Sequence, residues 1–84
     1  MEQHVYTSKN YVLRTINSKL QELGDWKYFD ILVFKNRKSN EASKVESYDE
    51  LISLLKDYDK VYSFYKVNSN VHGLEVYDII LEEA

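Results

Sequence analysis

The residue types that most often carry catalysis are scarce in this chain and poorly placed for it. The sequence has no cysteine and only two histidines, His4 and His72, which share no metal-ligand spacing. Without cysteine there is no thiol nucleophile, no thiolate zinc site and no disulfide framework. Two isolated glycines do not form a phosphate-binding loop, and no G-x-S-x-G motif is present. We therefore expect a protein that is not an enzyme and that needs no metal ion or cofactor.

The carboxylates are numerous, but nothing in the sequence prepares them for acid–base catalysis. Acidic residues outnumber basic ones by 14 to 11, which gives a net charge of -3. Acid–base chemistry requires two carboxyl groups whose environments separate their pKa values, and no such pair is indicated. Asp30 and Asp78 interrupt apolar stretches, and for them we expect pairing with a lysine across a sheet, such as Lys35 or Lys66.

Tyrosine is the most enriched residue type and points to a binding surface. The chain has eight tyrosines among its 84 residues, and several fall in predicted strands. Aromatic side chains with a polar tip are favoured at protein interfaces, although tyrosine is also a good strand former. We expect an open sheet face that is rich in aromatic residues and binds a partner. The candidate partner-binding residues are Tyr62, Phe64, Tyr65, Glu75, Tyr77 and Asp78.

Positive charge is concentrated in one segment, which supports an alternative function. Residues 35–44 carry a net charge of +3, which leaves -6 for the rest of the chain. A basic hairpin tip can contact phosphates, so the alternative is a weak nucleic-acid-binding module. Its residues would be Lys35, Arg37, Lys38 and Lys44. Because the acidic body opposes such binding and few phosphate contacts give weak affinity, nucleic acid is not the partner we expect.

Two amphipathic helices are predicted from apolar residues at helical spacing. The first covers residues 8–23, with Thr7 or Ser8 as its N-cap and Gly24 as its C-cap. The second covers residues 48–58 and begins with the capping box formed by Ser47 and Glu50.

Strands are predicted over residues 26–35, 60–67 and 74–81, with a weaker strand over 41–46. A further short strand near Val5 is an alternative. Apolar residues on both sides of 26–35 indicate a central strand or one whose second face is partly covered. Turn-like residues connect the strands in pairs, so each pair is expected to form an antiparallel hairpin. The predicted fold is one α+β domain over residues 1–84, in the order α-β-β-α-β-β. Its antiparallel four-stranded sheet would carry two helices on one face, in a two-layer sandwich.

Size, codon usage and charge favour a small binding protein of a mobile element. No apolar run approaches the roughly 18 residues of a membrane span, and the first residues lack signal-peptide features, so we expect a cytoplasmic protein. Residues with A/T-rich codons outnumber those with G/C-rich codons by 32 to 6, which indicates a low-GC bacterium, its plasmid or its phage.

The function expected from the sequence is a small acidic protein-binding module, for example an inhibitor of a larger host protein such as a host-defence nuclease. It would dock by an open sheet face or a strand edge. A structural homodimer is the third hypothesis, and binding of a small ligand stays open.

Overall fold

Within the residues that the structure describes, two helices pack on a four-stranded sheet, and a second sheet has two strands. The computed structural model describes residues 5–67 and 73–82. The helices are α1 (Lys9–Leu23) and α2 (Tyr48–Leu55), and a 3-10 turn covers Trp26–Tyr28. The strands are β1 (Thr7–Ser8), β2 (Phe29–Phe34), β3 (Ala42–Lys44), β4 (Lys60–Val61), β5 (Ser63–Lys66) and β6 (Glu75–Ile80). The α+β class predicted from the sequence is confirmed.

Local hydrogen bonds explain where both helices begin and where α1 ends. The Ser8 hydroxyl accepts a hydrogen bond from the Tyr11 amide at 3.1 Å, and the Ser47 hydroxyl accepts one from the Glu50 amide at 3.1 Å. Gly24 takes a left-handed conformation with φ of 83° and donates its N–H to the Leu20 carbonyl. A residue with a Cβ is strained in that conformation, which is why glycine is suited to this position.

The sheet is mixed, which corrects the prediction of a wholly antiparallel sheet. Strands β2 and β3 form one antiparallel hairpin and β5 and β6 form another, but the inner strands β2 and β6 run parallel, in the order β3-β2-β6-β5. Helix α2 connects β3 to β5 and returns the chain to the end of the sheet where β3 begins. A helical crossover joins parallel strands, so β5 runs parallel to β3, and the inner strands must be parallel too.

All four predicted strands are shorter or interrupted in the structure. The segment predicted as a strand over 60–67 divides at Tyr62, because β4 pairs with β1 whereas β5 pairs with β6. A two-residue strand, β1, lies at Thr7–Ser8, two residues beyond Val5, where the alternative prediction placed a short strand. Residues 26–28 form a 3-10 turn capped by the Asp25 carboxylate instead of the start of β2. The predicted loop residues 68–72 lie outside the described residues.

The core lies between the helices and one face of the sheet. Burial alternates along β2 and β6, so every second residue points toward the helices. The Tyr48 hydroxyl donates a hydrogen bond to the Leu13 carbonyl, which ties the start of α2 to α1. The core contains Val12, Ile16, Phe29, Ile31, Val33, Val45, Leu51, Leu55, Val61, Tyr77, Ile79 and Leu81.

Candidate functional site

The side of the sheet opposite the core has an apolar centre, and none of the described helices and strands covers it. The alternate residues of β2 and β6 that do not join the core lie on this side and are half-buried among their neighbours in the sheet. We call this side the open face. It comprises Asp30, Leu32, Phe34, Ala42, Lys44, Ser63, Tyr65, Val67, Val76, Asp78 and Ile80.

The strand register arranges the open face in rows that run across the sheet. The middle row, from β3 to β5, is Lys44, Leu32, Asp78 and Tyr65. The next row is Ala42, Phe34, Ile80 and Ser63. On the other side of the middle row, Asp30 aligns with Val76, and the Val67 amide donates a hydrogen bond to the Val76 carbonyl at 2.8 Å.

The middle row carries opposite charges toward its two ends. The Tyr65 hydroxyl donates a hydrogen bond to Oδ2 of Asp78 at 3.1 Å, and this bond raises the pKa of Tyr65. Tyr65 is 46% exposed. At the opposite end of the row Lys44 is exposed, and its ammonium group forms no ion pair with any residue in 5–67 or 73–82. A partner that covers this face would therefore meet a cation on one side and an anion on the other.

The structure divides the predicted partner-binding residues between the two faces of the sheet. Tyr65 and Asp78 lie on the open face. Phe64 and Tyr77 lie on the covered face, where their rings stack with centroids 5.4 Å apart and Tyr11 contacts Phe64 edge-on. Burial raises the pKa of Tyr77, which is 5% exposed. The open face is thus more aliphatic than the count of tyrosines suggests.

Glu75 is a buried ion-pair residue on the covered face. Its side chain is 11% exposed and lies between two lysines, with Lys66 Nζ 2.7 Å from Oε2 and Lys19 Nζ 3.3 Å from Oε1. The hydrogen bond from Lys66 is the main cause that lowers the pKa of Glu75, and Glu75 in turn raises the pKa of both lysines. The sequence predicted that Lys66 would pair with an aspartate such as Asp78. In the structure Lys66 pairs with Glu75 instead. This arrangement ties α1 to β5 and β6.

Three of the four predicted basic residues lie together at one end of the molecule. Lys35, Arg37 and Lys38 follow β2, and Lys44 lies apart from them in the middle row of the open face. The Arg37 guanidinium lies 5.1 Å from the centre of the Tyr62 ring and donates a hydrogen bond to the Tyr62 hydroxyl at 3.4 Å. It also lies 3.8 Å from a Glu82 carboxylate oxygen. The Tyr62 contact and the Glu82 charge raise the pKa of Arg37.

Sequence reasoning missed the apolar centre of the open face, formed by Leu32, Phe34, Val76 and Ile80. The available signal was the apolar character of both sides of β2, which indicated a central strand or one whose second face is partly covered. That pattern cannot indicate which side the helices cover, because both sides are apolar. The prediction rested on aromatic residues instead, and two of them, Phe64 and Tyr77, lie on the covered face.

Comparison with protein-family models, curated proteins and solved structures finds no match to this chain. Within the described residues no group of three or more His, Cys, Asp and Glu side chains is arranged to hold a metal ion. None of the helices that the structure describes has the length and apolar character needed to cross a membrane. The open face is therefore the feature on which a functional proposal rests.

Proposed function

We propose that this chain is a non-enzymatic protein-binding module that docks through its open face. The observation that carries the proposal is the contiguous apolar centre formed by Leu32, Phe34, Val76 and Ile80, without a covering element among the described residues. Contiguous apolar surface with a polar margin is typical of protein interaction sites. A partner that buries this surface gains about 25 cal/mol for each Å² of apolar area removed from water.

The polar margin favours a partner with mixed charge around an apolar surface. Lys44 lies at the β3 edge and Tyr65 at the β5 edge, and together they form a polar rim. Asp30 and Asp78 lie on the inner strands among the apolar residues, so the centre also carries two carboxylates. An apolar patch with a polar rim is common in protein interfaces. The proposed partner is a larger host protein, for example an enzyme that the module inhibits by occupying a functional surface. The small size, the acidity and the A/T-rich codon usage support that class.

Affinity capture with matched variants tests the proposal. Ile80 lies on the open face, and Ile52, which is 41% exposed, lies on α2. We expect the wild type and Ile52→Gln to retain one stoichiometric protein from a low-GC bacterial lysate and Ile80→Gln to lose it. Circular dichroism should show both variants folded. Equal retention by the two variants, or no retained protein at all, would overturn the proposal.

A second candidate function is weak binding of single-stranded nucleic acid at the basic end. The observation in its favour is a cluster in which Arg37 lies over Tyr62, Lys60 Nζ lies 4.9 Å from the centre of the Tyr6 ring, and the two rings meet edge-on at 5.6 Å. Cations and aromatic rings together suit a strand of stacked bases. The Glu82 carboxylate beside Arg37 opposes phosphate binding, and so does the net charge of -3.

A salt titration distinguishes this second function from protein docking. Replacing Arg37 and Lys38 together by alanine should abolish DNA binding that weakens as salt is added, because counterion release dominates such affinity. The control replaces Lys27 and Lys56, which are exposed elsewhere on the molecule. Unchanged affinity in the Arg37 and Lys38 variant would eliminate this candidate.

A further inference from the structure

We infer that the outer edge of β5, beside α1, binds an extended peptide as an added antiparallel strand. The peptide that fits this edge carries an acidic residue opposite Lys66 and, two residues further along, an aromatic residue opposite Phe64. The site is separate from the open face, so the inference goes beyond the proposed function and does not depend on it.

The backbone of β5 is paired along only one edge by the strands that the structure describes. The Val67 amide donates a hydrogen bond to the Val76 carbonyl at 2.8 Å, and the register continues this pairing back along β5. In an antiparallel pair, residues that exchange hydrogen bonds alternate with residues that do not. The N–H and C=O groups of Phe64 and Lys66 therefore point away from β6, and an added strand can bond to them.

The chain itself places a strand at the start of this edge. The Lys9 amide donates a hydrogen bond to the Asp59 carbonyl, so the backbone groups of Asp59, and of Val61 two residues later, point toward β1. The next residue, Tyr62, donates its amide to the Ile80 carbonyl on the opposite side. Strand β1 therefore lies on the outer side of β4, antiparallel to it. The line that β1 occupies continues beside β5, where none of the described strands lies.

A groove along α1 can receive side chains of the added strand. The flank of α1 toward β5 lines a groove of about 380 Å³, a volume within the range of ligand-binding clefts. Residues directly opposite each other in neighbouring strands share a face of the sheet. Peptide side chains opposite Phe64 and Lys66 would therefore point toward this groove. Its lining residues are Tyr11, Arg14, Thr15, Ser18, Lys19 and Glu22.

The apolar part of the site favours an aromatic residue opposite Phe64. The Phe64 ring stacks on Tyr77 and meets the Tyr11 ring edge-on at 6.2 Å, yet Phe64 is only half-buried and Tyr11 is 56% exposed. A peptide ring beside both would remove more of their apolar surface from water. Aromatic pairs across neighbouring strands also stabilise a sheet.

The charged groups favour a carboxylate opposite Lys66. Lys66 and Lys19 share the carboxylate of Glu75, and Lys19 also contacts Glu22 at 3.4 Å. Arg14, on the same flank of α1, forms no ion pair with any residue in 5–67 or 73–82. Three cations and two carboxylates give this site a net charge of +1. A carboxylate from the peptide would balance that charge, and Lys66, whose side chain is 55% exposed, lies at the edge to meet it.

A second copy of this chain fits the same edge less well. If β5 of two copies paired antiparallel about a two-fold axis, their α1 helices would lie on the same face of the joined sheet. The two grooves, each with a net charge of +1, would then face each other, and like charges across an interface are unfavourable. A short acidic peptide brings the opposite charge and no second helix.

Two peptides of the same composition test the order of residues. Acetyl-Thr-Glu-Thr-Phe-Thr-amide places its Glu opposite Lys66 and its Phe opposite Phe64, and acetyl-Thr-Phe-Thr-Glu-Thr-amide exchanges them. In an NMR titration of the whole chain, the first peptide should shift the amide signals of Phe64 and Lys66. The second should bind about threefold to tenfold more weakly, because both cross-strand pairs are mismatched.

Methylation of peptide amides tests whether binding occurs by strand addition. The Glu and Phe amides of the first peptide point toward β5, whereas the amide of its central Thr points away. Methylation of the Glu and Phe amides should weaken binding at least about tenfold, because it removes both donors. Methylation of the central Thr amide should leave the affinity nearly unchanged. The peptide should also slow the hydrogen exchange of the Phe64 and Lys66 amides, which in its absence should exchange faster than those of Tyr65 and Val67.

Matched variants of the protein locate the binding site. Ser18 lines the groove, and Asn17 is exposed on the opposite flank of α1. Ser18→Trp should fill the groove and lose peptide binding, whereas Asn17→Trp should retain it, and circular dichroism should show both variants folded. Ile80→Gln, which alters the open face, should bind the peptide like the wild type.

The outcomes separate this inference from the proposed function. An absence of peptide binding up to millimolar concentration, equal binding of the two peptides, or unchanged binding after methylation of the Glu and Phe amides would overturn the inference. Concentration-dependent protection of the Phe64 and Lys66 amides without peptide would also overturn it, because a second copy would then occupy the edge. In each case the capture result for Ile80→Gln still decides the proposed function, since that residue lies on the open face.

Discussion

The two faces of the same sheet use similar residues for different purposes. Along β2 and β6, alternate residues point toward the helices, where Ile31, Val33 and Ile79 are at most 5% exposed. The residues between them, such as Leu32, Phe34 and Ile80, are as apolar but only half-buried. The covered face therefore contributes to the stability of the fold, whereas the open face leaves part of its apolar area available for association.

The largest effect should come from a comparison of two adjacent isoleucines in β6. Ile79 is fully buried in the core, and Ile80 lies on the open face. Ile79→Ala should lower the free energy of unfolding by about 2–5 kcal/mol, because it removes buried methyl groups and leaves a cavity. Ile80→Ala should cost about 1 kcal/mol in the monomer, because fewer of its contacts are lost. Urea denaturation at low protein concentration measures both.

If Ile79→Ala and Ile80→Ala lowered the free energy of unfolding equally, the proposed difference between the two faces would be refuted. Both substitutions replace the same residue type in the same strand, so the loss of strand propensity is similar in each. A cost for Ile80→Ala as large as that for Ile79→Ala would mean that the open face is covered within the monomer. The proposed docking surface would then not exist.

A smaller effect should come from the ion pairs of the covered face. Glu75→Gln should lower the free energy of unfolding at neutral pH by about 1–2 kcal/mol, because hydrogen bonds to a charged group are lost next to two lysines. The folded state lowers the pKa of Glu75. Its stabilisation is therefore present above the pKa of the unfolded chain, near 4.3, and is lost as the pH falls through the lower folded pKa.

The pH dependence of the stability difference between the wild type and Glu75→Gln separates the loss of this ion pair from the general loss of stability in acid. The stability difference between the wild type and Glu75→Gln should shrink as the pH falls below about 4. Glu22→Gln is the control, because Glu22 contacts Lys19 at 3.4 Å on the exposed surface of α1. That substitution should change the free energy by about 0.5 kcal/mol or less. Chemical denaturation at several pH values measures both variants, and a difference for Glu75→Gln that persists unchanged at low pH would refute the assignment.

The sequence predicted α1 and the start of α2 well because these ends depend on nearby residues, whereas α2 ends at Leu55, before the predicted end at residue 58. Ser8, Gly24 and Ser47 act as caps within one turn of the helix they bound, so local rules identify them. The hairpins were also predictable, since each is joined by a short polar segment. The parallel pairing of β2 and β6 was not, because it depends on the direction in which α2 returns the chain.

The candidate site was harder to predict than the fold. Side-chain alternation shows that residues at positions i and i+2 share a face, but it does not show which face the helices cover. Glu75 illustrates the difficulty, since an acidic residue at the start of β6 would ordinarily be assigned to the open side. Its burial depends on Lys19 and Lys66, which come from other elements.

The smallest effect should come from the charged residues that the fold does not need. Lys44 forms no ion pair with the described residues, so Lys44→Ala should change the free energy of unfolding of the monomer by no more than about 0.5 kcal/mol. Arg37→Ala removes the contact with Tyr62 and the pair with Glu82, and should destabilise the fold slightly more than Lys44→Ala, with a loss that shrinks as salt is added. The order reverses for binding of the proposed partner, which Lys44→Ala should weaken and Arg37→Ala should leave unchanged, because only Lys44 lies on the open face. Thermal unfolding and affinity capture measure the two properties separately. A loss of stability in Lys44→Ala as large as that in Arg37→Ala would show that Lys44 stabilises the folded monomer. Its charge could then no longer be assigned to binding by the open face.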